Sequence, residues 1–163
     1  MKPLLLQYAT YNLWANKLMV DRLVQLPKEI LNKENGSSFG SIYKTLVHML
    51  EVESIWWQRM KLLERIILPE SDPEEDIVTA GKLLIQSSKD WQNWVSETNE
   101  KYLTHVFGYQ NSYKELFKQP VYEMLLHLFN HQSYHRGQLV TMLRQEGINK
   151  IPKTDFIFFT RKK

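Results

Sequence analysis

His131 and His135 stand four residues apart in HLFNHQSYHRGQ. On a helix that spacing sets two imidazoles about 40° apart and one turn above each other, so that both can reach one metal ion. His127 continues the series one turn earlier, about 80° from His135, and is the weaker ligand candidate. His48, in HMLEVESIWW, offers a third nitrogen from a second helix. Three imidazoles on two helices leave coordination positions for water or substrate, the pattern of catalytic rather than structural sites. A competing reading is simpler: HxxxH pairs are common on helices, and a lone buried histidine is more often a hydrogen-bonded core residue. His105 has no partner at useful spacing and reads as structural or exposed. Glu51, one turn from His48, is either a solvated carboxylate or an acceptor that orients the imidazole.

Composition narrows the chemistry. The 163 residues contain no cysteine, which excludes disulfides, thiolate metal sites and cysteine nucleophiles, so any metal is held by His and carboxylates. Imidazole suits Zn, Ni, Cu and Fe alike. There is no glycine-rich phosphate loop, no G-x-S-x-G elbow and no Glu-x-x-His pair of the di-iron type. Apolar residues at 43% and charged residues at 24% exclude intrinsic disorder. Lys+Arg 21 against Asp+Glu 18 leaves a net charge of +3, too mild for a nucleic-acid partner. No apolar run approaches the ~18 residues that would span a membrane. MKPLLLQYAT lacks the apolar core of a signal peptide. The expectation is a cytoplasmic protein with one domain over residues 1–163.

The histidines need helices to hold them, and the periodicity predicts four. The first covers about residues 4–26, with Leu4, Tyr8, Tyr11, Ala15 and Leu18 on its apolar stripe and Asn12, Lys17 and Asp21 off it. Pro27 ends it, and KEILNKENGSSFG reads as a loop. The second, about 41–67, has Ser41 or Ser38 as its cap and a stripe of Ile42, Leu46, Met49, Trp56, Met60 and Leu63, with His48 on its edge. Pro69 and the acidic SDPEED stretch end it. The third, about 75–97, is marked by Ile77, Leu84, Trp91 and Trp94. Residues 101–119 carry β-formers around Gly108 and Asn111-Ser112, which predicts a short hairpin.

The fourth helix, 120–145, starts at a proline and stops before Gly147, a residue suited to the left-handed position. Val121, Leu125, Leu128, Gln132, His135, Leu139 and Met142 form its seam. The middle of that seam is polar. An unpaired polar group buried there costs about 1–3 kcal/mol, so Gln132 and His135 need partners. IPKTDFIFFTRKK reads as an extended tail whose Phe156, Ile157 and Phe159 pack on the body. The predicted fold is all-α: a four-helix bundle with a β-hairpin-like excursion before the last helix.

YNLWANKL, HMLEVESIWWQRM, the NHxxYHRGQ core of HLFNHQSYHRGQLVTMLRQEG and the PKTDFIFF tail follow one another in the order and spacing of the DinB-like superfamily (DinB/YfiT-like metalloenzymes). The chain resembles that superfamily over nearly its whole length. The resemblance implies a bundle with a divalent metal ion, Zn, Ni or Fe, on His48, His131 and His135. Arg136, Gly137 and Gln138 match its RGQ, which suggests close helix approach at Gly137 and a tie from Arg136 to Asp155. Branches of the superfamily include bacillithiol S-transferases and a mycothiol-dependent isomerase. The implied activity is therefore a metal-dependent transferase or hydrolase, with a small-molecule substrate such as a low-molecular-weight thiol oriented by Gln132. The alternative is a non-catalytic metal-binding or stress/DNA-damage-response protein, its site closed by His127 or Glu51. Dimeric relatives imply a homodimer.

Overall fold

A computed structural model describes residues 1–63, 65–69, 76–111 and 113–161. Four long helices carry the architecture: α1 (Lys2–Leu23), α3 (Ile42–Met60), α4 (Ile77–Glu97) and α6 (Val121–Gln145). Helix α1 packs against α4 and α6, and α3 packs against the same two, so the order around the bundle is α1, α4, α3, α6. This arrangement, unreadable from the sequence, sets α3 beside α6 and brings their histidines to one seam. Strands β1 (Val106–Gln110) and β2 (Leu116–Pro120) form the expected hairpin, antiparallel with Gly108 opposite Lys118.

Local chemistry explains the boundaries. The Ser41 hydroxyl accepts from the Lys44 N–H at 3.2 Å and caps α3. The Asp76 carboxylate accepts from the Val78 and Thr79 N–H groups and caps α4. Pro120 precedes α6, and Gly147 follows it at φ 73°. Helix α3 ends at Met60, short of the expected 67. There Leu62 turns left-handed (φ 54°), and the Gln58 amide bonds both the N–H and the C=O of Ile67. A side chain has become the backbone partner that the next helical turn would have supplied, and Leu63 is left exposed. The acidic stretch 70–75 lies outside the described residues.

Three short helices replace expected irregular segments: α2 (Lys28–Asn32) in the loop after Pro27, α5 (Glu100–Leu103) before the hairpin, and α7 (Phe156–Thr160) in the tail. Phe156 stacks on Tyr8, and Phe159 packs on Tyr11 and Trp14, whereas Ile157 stays exposed.

The core is split. One apolar cluster gathers Met19, Leu23, Leu46, Met49, Leu84 and Leu139, and the other Leu5, Val52, Trp56, Trp91, Leu125 and Phe129. Between them lies a buried polar layer of Asn12, Asn16, Glu53, Ser88, Gln132 and Arg136, to which every long helix contributes. The expected stripe on α1 is therefore rotated: Leu4 is exposed, and Asn12 faces the core because a polar layer waits there.

Close helix approach occurs at Gly81 rather than at Gly137. A Cβ on Gly81 would lie 2.6 Å from Val20 Cγ1, whereas one on Gly137 would meet open space. Valine is stiff at χ1 and cannot swing away. Gly81→Ala is expected to destabilise by about 1–3 kcal/mol through overpacking, although alanine is the better helix former by about 1 kcal/mol. Urea unfolding checks this, and Val20→Ala should restore the stability. A neutral or stabilising Gly81→Ala would mean that α1 and α4 can separate freely.

Candidate metal centre

His48 on α3 and His131 and His135 on α6 converge. The Nε2 atoms of His48 and His131 are 3.3 Å apart and those of His131 and His135 3.0 Å. One ligand atom from each of the three lies within 4.8 Å of the others. His135 is buried, whereas His48 and His131 are half-buried, so the cluster sits at the edge of the polar layer with a path to solvent. Phe39 closes one side, stacked on His48 at 3.9 Å between ring centroids with 19° between planes, and edge-on to His135 at 5.4 Å. Its loop is pinned by the Asn35 N–H donating to the Gly40 C=O at 2.9 Å. Nothing in the sequence singled out Phe39, whose loop position shows no periodicity.

One ring tautomer is set from outside the cluster. His135 Nδ1 lies 2.7 Å from Gln138 Oε1, a carbonyl oxygen that can only accept, so the proton sits on Nδ1 and the Nε2 lone pair points inward. His48 Nδ1 faces Glu51 Oε2 at 4.0 Å, an ion-pair-range contact too long for a hydrogen bond. His131 Nδ1 is buried without a partner among the described residues. Without a cation, one Nε2–H on His131 is available to the inward lone pair of His135 and to His48 Nε2. A divalent ion satisfies all three nitrogens together. Metal–nitrogen bonds near 2.0–2.1 Å hold ligand nitrogens about 3.0–3.4 Å apart in tetrahedral or octahedral sets; the two separations to His131 fit, and the His48–His135 pair lies within 4.8 Å.

The electrostatics agree. Burial, followed by the neighbouring His135, pushes His48 down to about 4. Burial and the surrounding imidazoles push His131 down to about 3. Burial also lowers His135, against its hydrogen bond to Gln138. Neutral imidazoles are what a metal requires.

These depressions predict a pH dependence of the metal-free protein. His48 and His131 bind protons at the ordinary 6.5 when unfolded but only near 4 and 3 when folded. Their contribution to stability is present above 6.5 and is lost as pH falls toward 4. Glu53 opposes them, because burial raises its carboxyl from 4.5 to about 7 and its contribution fades over that interval. Near pH 5 to 5.5 the unfolded chain should hold about one more proton than the folded chain on these three groups, a slope of about 1.4 kcal/mol per pH unit that falls to about a quarter of that by pH 6.5. Urea melts across this range check it, and a flat profile would mean that the imidazoles are charged in the folded state.

The other sequence candidates fall elsewhere. His127 sits edge-on to Trp56, its ring 5.9 Å from that of His131, and takes no part in the cluster. His105 is exposed and stacks on Tyr102. Gln132, expected to orient substrate, is fully buried and donates to the Met49 C=O at 2.8 Å. Arg136 binds Asn12, Asn16 and Ser133, not Asp155. Among the described residues no helix is long and apolar enough to cross a membrane.

Comparison with known proteins adds a lineage. A sequence profile described as the DinB family matches residues 1–162. Protein DinB of Bacillus subtilis (strain 168) is 32% identical over 161 residues, which cover 93% of this chain and 92% of that protein. The crystal structure of a DinB-like protein from Bacillus cereus ATCC 10987 superposes with a TM-score of 0.69 at 21% identity, covering 91% of this chain and 94% of that one. At that identity the likeness speaks for the fold alone.

Proposed function

The chain belongs to the DinB family, and from that premise we propose that it is a metal-dependent enzyme whose divalent cation is held by His48, His131 and His135. The observation that carries the proposal is the convergence of three imidazoles, with the His135 lone pair directed inward by Gln138. A bound cation at such a site supplies Lewis acidity, which brings the pKa of a coordinated thiol or water toward neutrality. The protein's own groups do the rest. Gln138 holds the proton on the outer nitrogen of His135 and keeps that imidazole aimed, and Glu51 sets a carboxylate beside the outer nitrogen of His48. Phe39 walls the cluster and shields it from water.

The reaction class is transfer involving a low-molecular-weight thiol, or hydrolysis of a small molecule. Among the described residues no fourth imidazole or carboxylate joins the cluster, which favours an open, reactive site over a closed storage site. The experiment is elemental analysis of untagged protein beside His48→Ala and His135→Ala. Near-stoichiometric metal in the wild type, lost in both variants, is the expected result, and assays with thiol co-substrates follow from it. A wild type that takes up no metal on reconstitution would sink the proposal and leave the histidines as hydrogen-bonded core groups.

A further inference from the structure

A second cavity, of about 600 Å³, opens between the end of α3, the segment after it and the hairpin. Among the described residues Arg59 is the only charged one in its lining; Ile55, Leu63, Leu68, Tyr109 and Leu116 supply half of the remaining wall. The guanidinium lies over Trp56 at 4.8 Å and Tyr109 at 5.2 Å, so its plane is held in place before any ligand arrives. Its Nε–H is buried with no hydrogen-bond partner among the described residues. Among those residues no carboxylate stands within ion-pair distance of it. The buried Nε–H cannot be reached from the cavity, but the terminal nitrogens of this half-buried guanidinium, which donate to no group among those residues, have donors to spare.

The surroundings specify the missing group. Leu62, Leu63, Leu68 and Leu116 leave apolar surface exposed at the cavity, and Leu62 is held in the left-handed conformation that bulky residues avoid. The Asn111 side chain is already engaged by Glu115 and by the Tyr113 N–H. One guanidinium and no second cation suit a monoanion, and its planar fork matches a carboxylate. We propose that this cavity binds a small amphipathic carboxylate, its carboxylate on Arg59 and its apolar body against the leucines. The site is separate from the histidines: eleven residues of α3 put Arg59 about 16 Å from His48, with Trp56 and His127 between.

The test is octanoate against octanamide, titrated into the full chain with and without EDTA and followed by the fluorescence of the neighbouring tryptophan. Octanoate should bind at least about tenfold more tightly than octanamide, with or without metal. Arg59→Gln should remove the difference. Leu116→Glu, on an exposed rim position that folding tolerates, should weaken octanoate alone and carries the test if Arg59→Gln does not fold. Equal binding of the two probes, no octanoate binding, or wild-type octanoate binding by either variant would overturn the proposal. Octanoate binding that disappears with EDTA would place the anion at the histidines and overturn it too, whereas failure of the metal reading alone would leave octanoate binding intact.

Discussion

Arg136→Met should destabilise the protein by about 2–6 kcal/mol, because it leaves two buried asparagine oxygens without a donor, each costing about 1–3 kcal/mol. Arg136 is 1% exposed and Glu53 0%, and they do not touch. Two asparagines mediate between them. Asn12 and Asn16 offer their carbonyl oxygens to Arg136 Nη1 at 2.9 and 2.7 Å. Their amides turn the other way and donate to Glu53 Oε1 at 3.0 and 3.4 Å, where the Ser88 hydroxyl also donates at 2.9 Å. Glu53 Oε2 has no partner among the described residues, consistent with a carboxyl that burial raises to about 7. Loss of the arginine leaves both asparagine oxygens unpaired and removes the charge that draws this carboxyl down. Arg136→Met combined with Glu53→Gln should recover part of the loss, giving a positive coupling in a double-mutant cycle by urea denaturation. An Arg136→Met cost below about 1 kcal/mol would show that the layer contributes no more than an ordinary hydrogen bond.

Metal binding is expected to produce the second large effect. A ligand at a thousand times its dissociation constant stabilises the folded state by about 4 kcal/mol, which for a chain of this size is a rise of about 8–16 °C in Tm. Divalent cation should give that rise in the wild type and none in His131→Ala, the residue between the other two ligands. The metal-free baseline of His131→Ala should stay near wild type or above it, because a buried ring nitrogen without a partner is removed. Differential scanning fluorimetry with and without EDTA separates these cases. A metal-dependent rise that survives in His131→Ala would move the site away from the cluster.

The candidate histidines were legible for a definite reason. His131 and His135 sit on α6, where the apolar seam Val121, Leu125, Leu128, Leu139 and Met142 is all buried. A polar interruption of such a seam stands out in the chain itself. Asn12, Asn16 and Glu53 gave no comparable signal. Each is a common helix-surface residue, and only the packing of four helices at one level turns them inward. Phe39 was equally silent, because stacking on His48 depends on a contact from a loop that periodicity does not encode; Gln138 stood in the RGQ match, but its hold on His135, one turn away on the same helix, was not read from it.

Periodicity, caps and breakers determined the four long helices, the hairpin and the spacing of the histidine pair, since these depend on residues within a few positions of one another. The DinB lineage was also legible in the order of the motifs. Tertiary packing alone decided which helix lies beside which, that the tail coils into α7, and that six polar residues from four helices share one buried layer. Those outcomes depend on contacts between distant segments, such as the 124 positions separating Arg136 from Asn12. Local sequence sets the conformation of a segment, but only the folded neighbours set which face of it is inside.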